Sequence, residues 1–348
     1  MLETAKNRSS VDAKMPESSM AESWQQVLKR AIRDPFELCR VLELPESIAH
    51  EALAGTRDFS LLVPHGYVSR MRPGDRHDPL LLQVLPIPAE HDAQAGFSRD
   101  PVGDLFALQQ PGLLQKYAGR ALLVTTGACA VHCRYCFRRH FPYEDSPHGM
   151  AAWEPALAAI EADESLDEII LSGGDPLTLV DTQLEALVQR LAAIPHLHRL
   201  RIHTRLPILI PQRVNERLLA WLCGTRLSPL VVIHANHASE IDCEVAAAIA
   251  KLVDAGVPVL NQAVLLRHVN DSVEALEQLC RTLVNLRVMP YYLHQLDRVA
   301  GAAHFEVPIE HGRQLVAELQ RRLPGYAVPR YVQELPGDPS KTSIELGG

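Results

Sequence analysis

Leu122-Leu123-Val124-Thr125-Thr126-Gly127-Ala128-Cys129-Ala130-Val131-His132-Cys133-Arg134-Tyr135-Cys136-Phe137-Arg138-Arg139-His140-Phe141 joins an apolar run of β type to a loop carrying three cysteines, Cys129, Cys133 and Cys136, at C-x3-C-x2-C spacing. Three thiolates are one fewer than an ordinary four-thiolate iron–sulfur or zinc site uses, so a bound metal centre keeps one position open for chemistry. A Cys3His zinc knuckle completed by His132 or His140 is the rival reading of the same residues.

Downstream of this loop, apolar β-type runs at 122–124, 168–171, 200–203, 230–234, 257–264 and 288–293 alternate with helical periodicity at 182–194, 216–223, 240–255, 272–286 and 308–323. Six βα repeats predict an α/β fold built on a parallel sheet. A closed eight-stranded barrel takes ~250 residues, and the region here holds roughly 200, so an open six-unit partial barrel is expected. A doubly wound sheet shares the same alternation. In both, ligands lie at the C-terminal ends of the strands.

Upstream, Val27, Leu28, Ile32, Phe36, Leu38, Val41 and Leu42 recur at helical spacing, interrupted by Pro35 and Pro45, and the stretch from Phe59 to Tyr117 is rich in Pro and Gly. The expected organisation is a disordered tail at 1–19, a helical and irregular arm at 20–117 wrapping the barrel, the barrel at 118–325, and a C-terminal segment at 326–348.

The 348 residues are 47% hydrophobic and 22% charged, an ordinary globular composition, and a net charge of −8 leaves no basic footprint for nucleic acid or an anionic membrane. No apolar run approaches the ~20 residues that span a bilayer, and the N-terminus is polar, so a cytoplasmic protein acting on a small molecule is expected. Seven cysteines in a chain this long do not form a disulfide framework. Cys39, Cys223, Cys243 and Cys280 lie in apolar helical patterns and are expected to be buried as small hydrophobes.

Further motifs fall at the predicted strand ends. Ser172-Gly173-Gly174-Asp175-Pro176-Leu177 follows the second strand, where two glycines permit close backbone approach to a ligand. His234-Ala235-Asn236-His237 ends the fourth, and Asn261-Gln262-Ala263-Val264-Leu265-Leu266-Arg267 lies on the fifth. Pro290-Tyr291-Tyr292-Leu293-His294-Gln295-Leu296-Asp297 and a late Ser340-Lys341-Thr342 complete the series.

The cysteine loop resembles that of the radical S-adenosylmethionine (SAM) enzymes, in which SAM chelates the fourth iron of a [4Fe–4S] cluster. The whole ordered series, from Trp24 to Thr342, is similar to the lysine 2,3-aminomutase family. Phe97-Ser98-Arg99-Asp100-Pro101 and Cys136-Phe137-Arg138-Arg139-His140-Phe141-Pro142-Tyr143 look most like its short branch, which makes (R)-β-lysine for a ligase that modifies elongation factor P. The resemblance implies a partial (β/α)6 radical SAM barrel with a helical N-terminal arm. It implies Cys129, Cys133 and Cys136 as cluster ligands, and Tyr135, Ser172, Gly173, Gly174, Asp175, His234 and Gln262 as SAM-binding residues. Lys341 becomes the internal aldimine of pyridoxal 5′-phosphate (PLP), with Lys116 and Arg120 at its phosphate and Tyr117 on its ring. Arg138 meets the carboxylate of L-lysine, and Asp297 and Glu334 meet its ε-ammonium. An external one-electron donor is implied, and a homo-oligomer is left open.

Three positions depart from the free-lysine members of the family: Tyr135 stands where they carry His, Glu334 is one methylene longer than their Asp, and Asp338-Pro339-Ser340 replaces a glycine run. Two other functions compete with the short-branch reading: a free-lysine aminomutase of catabolism or secondary metabolism, and a non-catalytic metal or redox-sensing protein on the same fold.

Overall fold

The structure of the protein is a computed structural model that describes residues 22–346; the tail expected at 1–19 lies outside them. Ten strands form one sheet in chain order: β1 (Leu108–Gln110), β2 (Leu113–Tyr117), β3 (Arg120–Thr126), β4 (Glu168–Gly173), β5 (Arg199–Thr204), β6 (Ser228–Ile233), β7 (Val259–Val264), β8 (Met289–His294), β9 (Arg330–Gln333) and β10 (Thr342–Ser343). From β3 to β9 every neighbour is parallel, whereas β1, β2 and β10 join antiparallel at the two edges. The order never reverses, so the switch point that defines a doubly wound sheet is missing, and each βα unit simply adds the next stave. The sheet also curls. Lys116 on β2 reaches Glu334, just beyond β9, with its Nζ 2.8 Å from Oε1.

Alternation along the strands divides the sheet into two faces. On β5, Leu200 and Ile202 are buried in the main core while Arg201 and His203 occupy the other face; on β7, Val259 and Ala263 join the core while Gln262 faces the other way. The outer face packs on helices Asp181–Ala192, Glu216–Cys223, Cys243–Asp254, Val273–Asn285 and Ile309–Arg322. Their starts are chemically marked: Asn215, Asp242 and Ser272 accept bonds from the backbone N–H groups of Leu218, Val245 and Ala275. A further helix, Met150–Ala162, escaped the periodic reading; Pro155, its sixth residue, forfeits one backbone hydrogen bond, which burial of Trp153, Ala156, Leu157 and Ile160 offsets.

The arm's prolines open helices instead of breaking one. Pro35 is the first residue of Pro35–Val41, capped by Asp34, and Pro45 precedes Glu46–Gly55. Of the four cysteines outside the loop, Cys39 and Cys280 are buried as expected, but Cys223 and Cys243 are exposed because they sit at a helix end and a helix start. No helix among the described residues is long and apolar enough to cross a membrane.

What the arm contributes to the site is a mould for the cysteine loop. Arg134, between the second and third cysteines, is fully buried. It donates to Glu90 from Nε at 2.8 Å and from Nη2 at 2.5 Å, and to the carbonyl of Phe59, over whose ring its guanidinium lies at 4.8 Å. Arg139 shares Glu90 at 2.7 Å, and the backbone N–H groups of His132 and Arg134 donate to Leu62 and Gln83. Removing one member of such a buried set leaves uncompensated charge. Glu90→Ala is therefore expected to cost about 3–5 kcal/mol of stability in chemical denaturation.

Candidate active site

Cys129, Cys133 and Cys136 are free, partly buried thiols on the loop that leaves β3. Burial, and then the neighbouring thiols, push Cys129 up, and burial carries Cys136 up to about 11, so a cation is needed to make these groups thiolates. Each zinc-knuckle candidate histidine has one ring nitrogen bonded to a backbone carbonyl. His132 stacks on Phe59 and its Nδ1 lies 2.9 Å from the Ser60 carbonyl, while His140 Nε2 lies 3.0 Å from the Ala300 carbonyl. Among the described residues no three His, Cys, Asp or Glu side chains group around a single ion. Three thiolates that each take a different iron of one cluster impose a different spacing.

The turn after β4 is pressed against the base of this loop. The N–H groups of Gly174 and Asp175 donate to the carbonyls of Thr126 at 2.8 Å and Ala128 at 2.7 Å, and a Cβ on either Gly173 or Gly174 would collide with those carbonyl oxygens. Glycine is required there by close approach, and Gly173 also holds φ at +132°. The Asp175 carboxylate, expected to face SAM, is instead consumed by protein donors: Leu177 N, Thr204 Oγ1, Arg205 N and Leu206 N. It ties the ends of β4 and β5 together.

Histidines line the inner face. His234 lies 3.2 Å from Gln262 through Nε2 and Nε2, and its ring meets that of His203 edge-on at 5.8 Å. Burial drives His234 down to about 3 and puts His203 and His294 well below the ordinary range, so all three are neutral. Nε2 of His203 and Nε2 of His294 are buried without a hydrogen-bond partner among the described residues. Buried orphan atoms of this kind at strand ends face a ligand site. His203 went unnoticed in the sequence; its signal was a lone polar residue on the inward register of a parallel strand. Tyr135, like Leu82 and Val264, packs against the small cluster of Leu266, Val269, Leu296, Val299, Ala302 and Phe305, and meets the Phe305 ring edge-on at 6.2 Å.

A second missed residue is Arg205, at the end of β5. Its guanidinium donates to Cys133 Sγ at 2.8 Å, and also to Glu240 and Gln83 at 2.8 Å and to Tyr67 at 3.1 Å. Glu240 is fully buried, and together these groups fix the cluster loop from inside.

Across the mouth lies a run of alternating charge. Arg138 donates from Nε to Asp104 at 2.6 Å and from Nη1 to Ser172 at 3.2 Å; burial alone would lower it, but Asp104 holds it above its usual value. Lys116 lies against Asp104 and donates to Glu334 and to the Val102 carbonyl, both at 2.8 Å. Lys341 donates to the other oxygen of Glu334 at 2.5 Å. Burial opposes charge on Glu334, but Lys341 and Lys116 outweigh it and hold the carboxyl at about 2. Asp297, just beyond β8, has no ion-pair or hydrogen-bond partner for its carboxylate among the described residues. Burial and the charge of Glu334 raise it to about 7. Lys116 thus spends its donors on carboxylates and a carbonyl. Arg120, stacked 4.6 Å from the Tyr117 ring, is the cation left without an ion-pair partner among the described residues.

No family model matches the chain. It is 46% identical to the L-lysine 2,3-aminomutase of Escherichia coli strain K12, over 93% of this chain and 95% of that protein. The chain belongs to the L-lysine 2,3-aminomutase family. It is 44% identical to the Haemophilus influenzae L-lysine 2,3-aminomutase over 92% of this chain and 95% of that one, and 33% identical to that of Clostridium subterminale, of which it covers 77%. A radical SAM methyltransferase from Sphaerobacter thermophilus overlaps 63% of the chain at a TM-score of 0.44 and 22% identity, too loosely to define the fold.

Membership makes the chain an isomerase that works with a [4Fe–4S] cluster, SAM and PLP. The donor set fits these groups: three thiols on one loop, unpartnered neutral imidazoles within the influence of Lys341, and an arginine without an ion-pair partner among the described residues stacked on Tyr117. L-lysine is the substrate of such an enzyme.

Proposed function

We propose that the chain converts L-lysine to β-lysine, expected as the R isomer, as the supply for a ligase that modifies elongation factor P. The carrying observation is a run of opposite charges on the inner side of the strand ends: Arg138 is joined through Asp104 and Lys116 to Glu334, and Asp297 lies within the influence of Glu334, so we assign Arg138 to the substrate carboxylate and the two acids to its ammonium. An aminoalkyl ammonium needs anionic partners, and a planar guanidinium suits a carboxylate. The elongation factor branch is supported by the branch-like segments of the sequence, residues 97–101 and 136–143.

When bound, the cluster with SAM supplies hydrogen-atom abstraction, and PLP supplies the conjugation that lets nitrogen move from Cα to Cβ. Cys129, Cys133 and Cys136 hold the iron. Ser172, Gly173, Gly174, Tyr135, His234 and Gln262 surround SAM, with Asp175 acting through the turn it anchors. Lys341 anchors PLP, Tyr117 packs on its ring and Arg120 takes its phosphate. Lys116, expected at that phosphate, supports Glu334 in this structure. Neutral imidazoles on the inner face offer hydrogen bonds without adding charge beside a reactive centre. An external donor provides the electron.

The decisive experiment is anaerobic incubation with SAM, PLP, dithionite and L-lysine, followed by chiral analysis. A second arm adds the ligase and elongation factor P and reads the protein's mass. Formation of β-lysine without transfer would retire the elongation factor role and keep the aminomutase.

Truncating one member of a desolvated charge pair costs ~2–5 kcal/mol, so Asp297→Ala is expected to lower kcat/KM for lysine by roughly thirtyfold or more and leave SAM binding unchanged. A pH dependence accompanies it. Asp297 binds an ammonium only when ionised, and its carboxyl titrates at about 7. Lysine affinity measured by calorimetry should therefore fall by up to about tenfold per pH unit below that point and level off above it. Lys341 lowers Asp297, so once its amine is engaged by PLP the transition moves upward. In Asp297→Asn the dependence should vanish.

A further inference from the structure

Asp104 received no role from the sequence, yet it is the hinge of the charge run. It is 2% exposed, and it sits where the arm turns across the barrel mouth. That turn is itself fixed: the N–H groups of Asp104 and Leu105 donate to the Asp100 carboxylate at 2.9 and 3.0 Å, and a Cβ on Gly103 would lie 3.3 Å from Pro336 of the segment leading to Lys341. The two carboxylate oxygens of Asp104 serve two different cations. Oδ2 accepts from Arg138 Nε at 2.6 Å; Oδ1 lies 2.5 Å from Lys116 Nζ, an ion pair off the line of a hydrogen bond. Lys116 in turn grips Glu334 Oε1 at 2.8 Å.

Three consecutive charge-assisted contacts leave no slack between the guanidinium and the acidic end. With Nε committed to Asp104 and Nη1 to Ser172, rotation of the Arg138 fork is restrained, and its Nη2 is left without a hydrogen-bond partner among the described residues. Burial pushes Asp104 up, but Arg138 and Lys116 outweigh it and hold its carboxyl below the usual range, so it stays charged as the counter-ion of both cations. Without it, two buried cations would face each other with only Glu334 and Asp297 nearby.

We propose that Asp104 is a positioning residue that sets the span between the carboxylate-binding and ammonium-binding ends, and through that span selects the substrate by chain length, L-lysine over the one-methylene-shorter L-ornithine. This rests on the two-ended reading given above. An amino acid one methylene short cannot touch both ends of a fixed frame, whereas a loosened frame lets both lengths reach.

The test is calorimetric binding of L-lysine and L-ornithine to PLP-loaded wild type, Asp104→Asn and Asp104→Glu, with thermal midpoint and the PLP absorbance band as structural readouts. In Asp104→Asn the lysine-to-ornithine affinity ratio should fall by about tenfold or more; the thermal midpoint drops because two cations lose their counter-ion, while the retained PLP absorbance band reports a folded site. Asp104→Glu keeps the charge and moves it by one methylene, so lysine binding should largely recover with a ratio still different from wild type; this variant carries the test if the asparagine protein does not fold. An unchanged ratio in a folded variant, whether both affinities fall together or neither falls, overturns the role. Wild-type lysine affinity in Arg138→Lys and Asp297→Asn would instead retire the two-ended reading itself, which separates the two failures.

Discussion

Cys133→Ala, after anaerobic reconstitution with iron and sulfide, should show neither the brown cluster chromophore nor SAM cleavage. In the proposed assignment each of the three thiolates would hold a different iron, and the loop has no fourth cysteine to substitute. The effect is near-total because loading must also overcome burial: Cys129 and Cys136, the latter at about 11, stay protonated until iron draws the protons off. Two thiols cannot supply that driving force. Cluster content of the wild type should accordingly decline as the loading pH is lowered. Iron and labile sulfide analysis with electron paramagnetic resonance measures both. Tetrahedral zinc retained by wild type after reconstitution would sink the cluster assignment, although His132 and His140 are already engaged with the Ser60 and Ala300 carbonyls.

Lys341→Ala should lose all borohydride-trappable PLP and with it lysine turnover. The competing amines are few and differently placed. Lys116 lies in the same pocket but contacts Asp104, Glu334 and the Val102 carbonyl, whereas Lys251 lies on an outer helix, 3.5 Å from the Val214 carbonyl. Lys341 makes one contact, to Glu334. An amine held at a single point is the one that can be released to a cofactor carbonyl. Peptide mapping of the reduced wild type should find the phosphopyridoxyl group on Lys341; a label on Lys116 would transfer the anchor to the other lysine of the charge run.

The parallel sheet was legible because its period is local. Alternating apolar runs and amphipathic helices state the βα units directly, and the bounds of the observed parallel strands β3 to β8 agree with the expected runs to within a few residues. β9 was not legible: Arg330–Gln333 is four residues long, and it becomes a strand because the exposed edge of β8 is there to pair with it. The helix Met150–Ala162 also escaped the periodic reading, and burial that only the fold supplies offsets the bond Pro155 forfeits.

The site divides in the same way. Cys129, Cys133 and Cys136, the glycines of the turn after β4, and Lys341 were readable because covalent spacing or glycine's missing Cβ is itself the requirement. Asp104, Arg205, His203 and the true partners of Asp175 and Lys116 were not. Each acts through contacts between segments far apart in the chain, Asp104 to Arg138 and Lys116 to Glu334 among them. A carboxylate beside two cations and a carboxylate in water are the same letter in a sequence. The amino-acid order alone determined most of the alternating strands and helices and where the three clustered thiols lie, while the order of strands in the sheet came from the structure. Tertiary structure decided which charges meet, because Coulomb energy and desolvation depend on distance and burial, and both exist only once the sheet has curled and the arm has closed over its mouth.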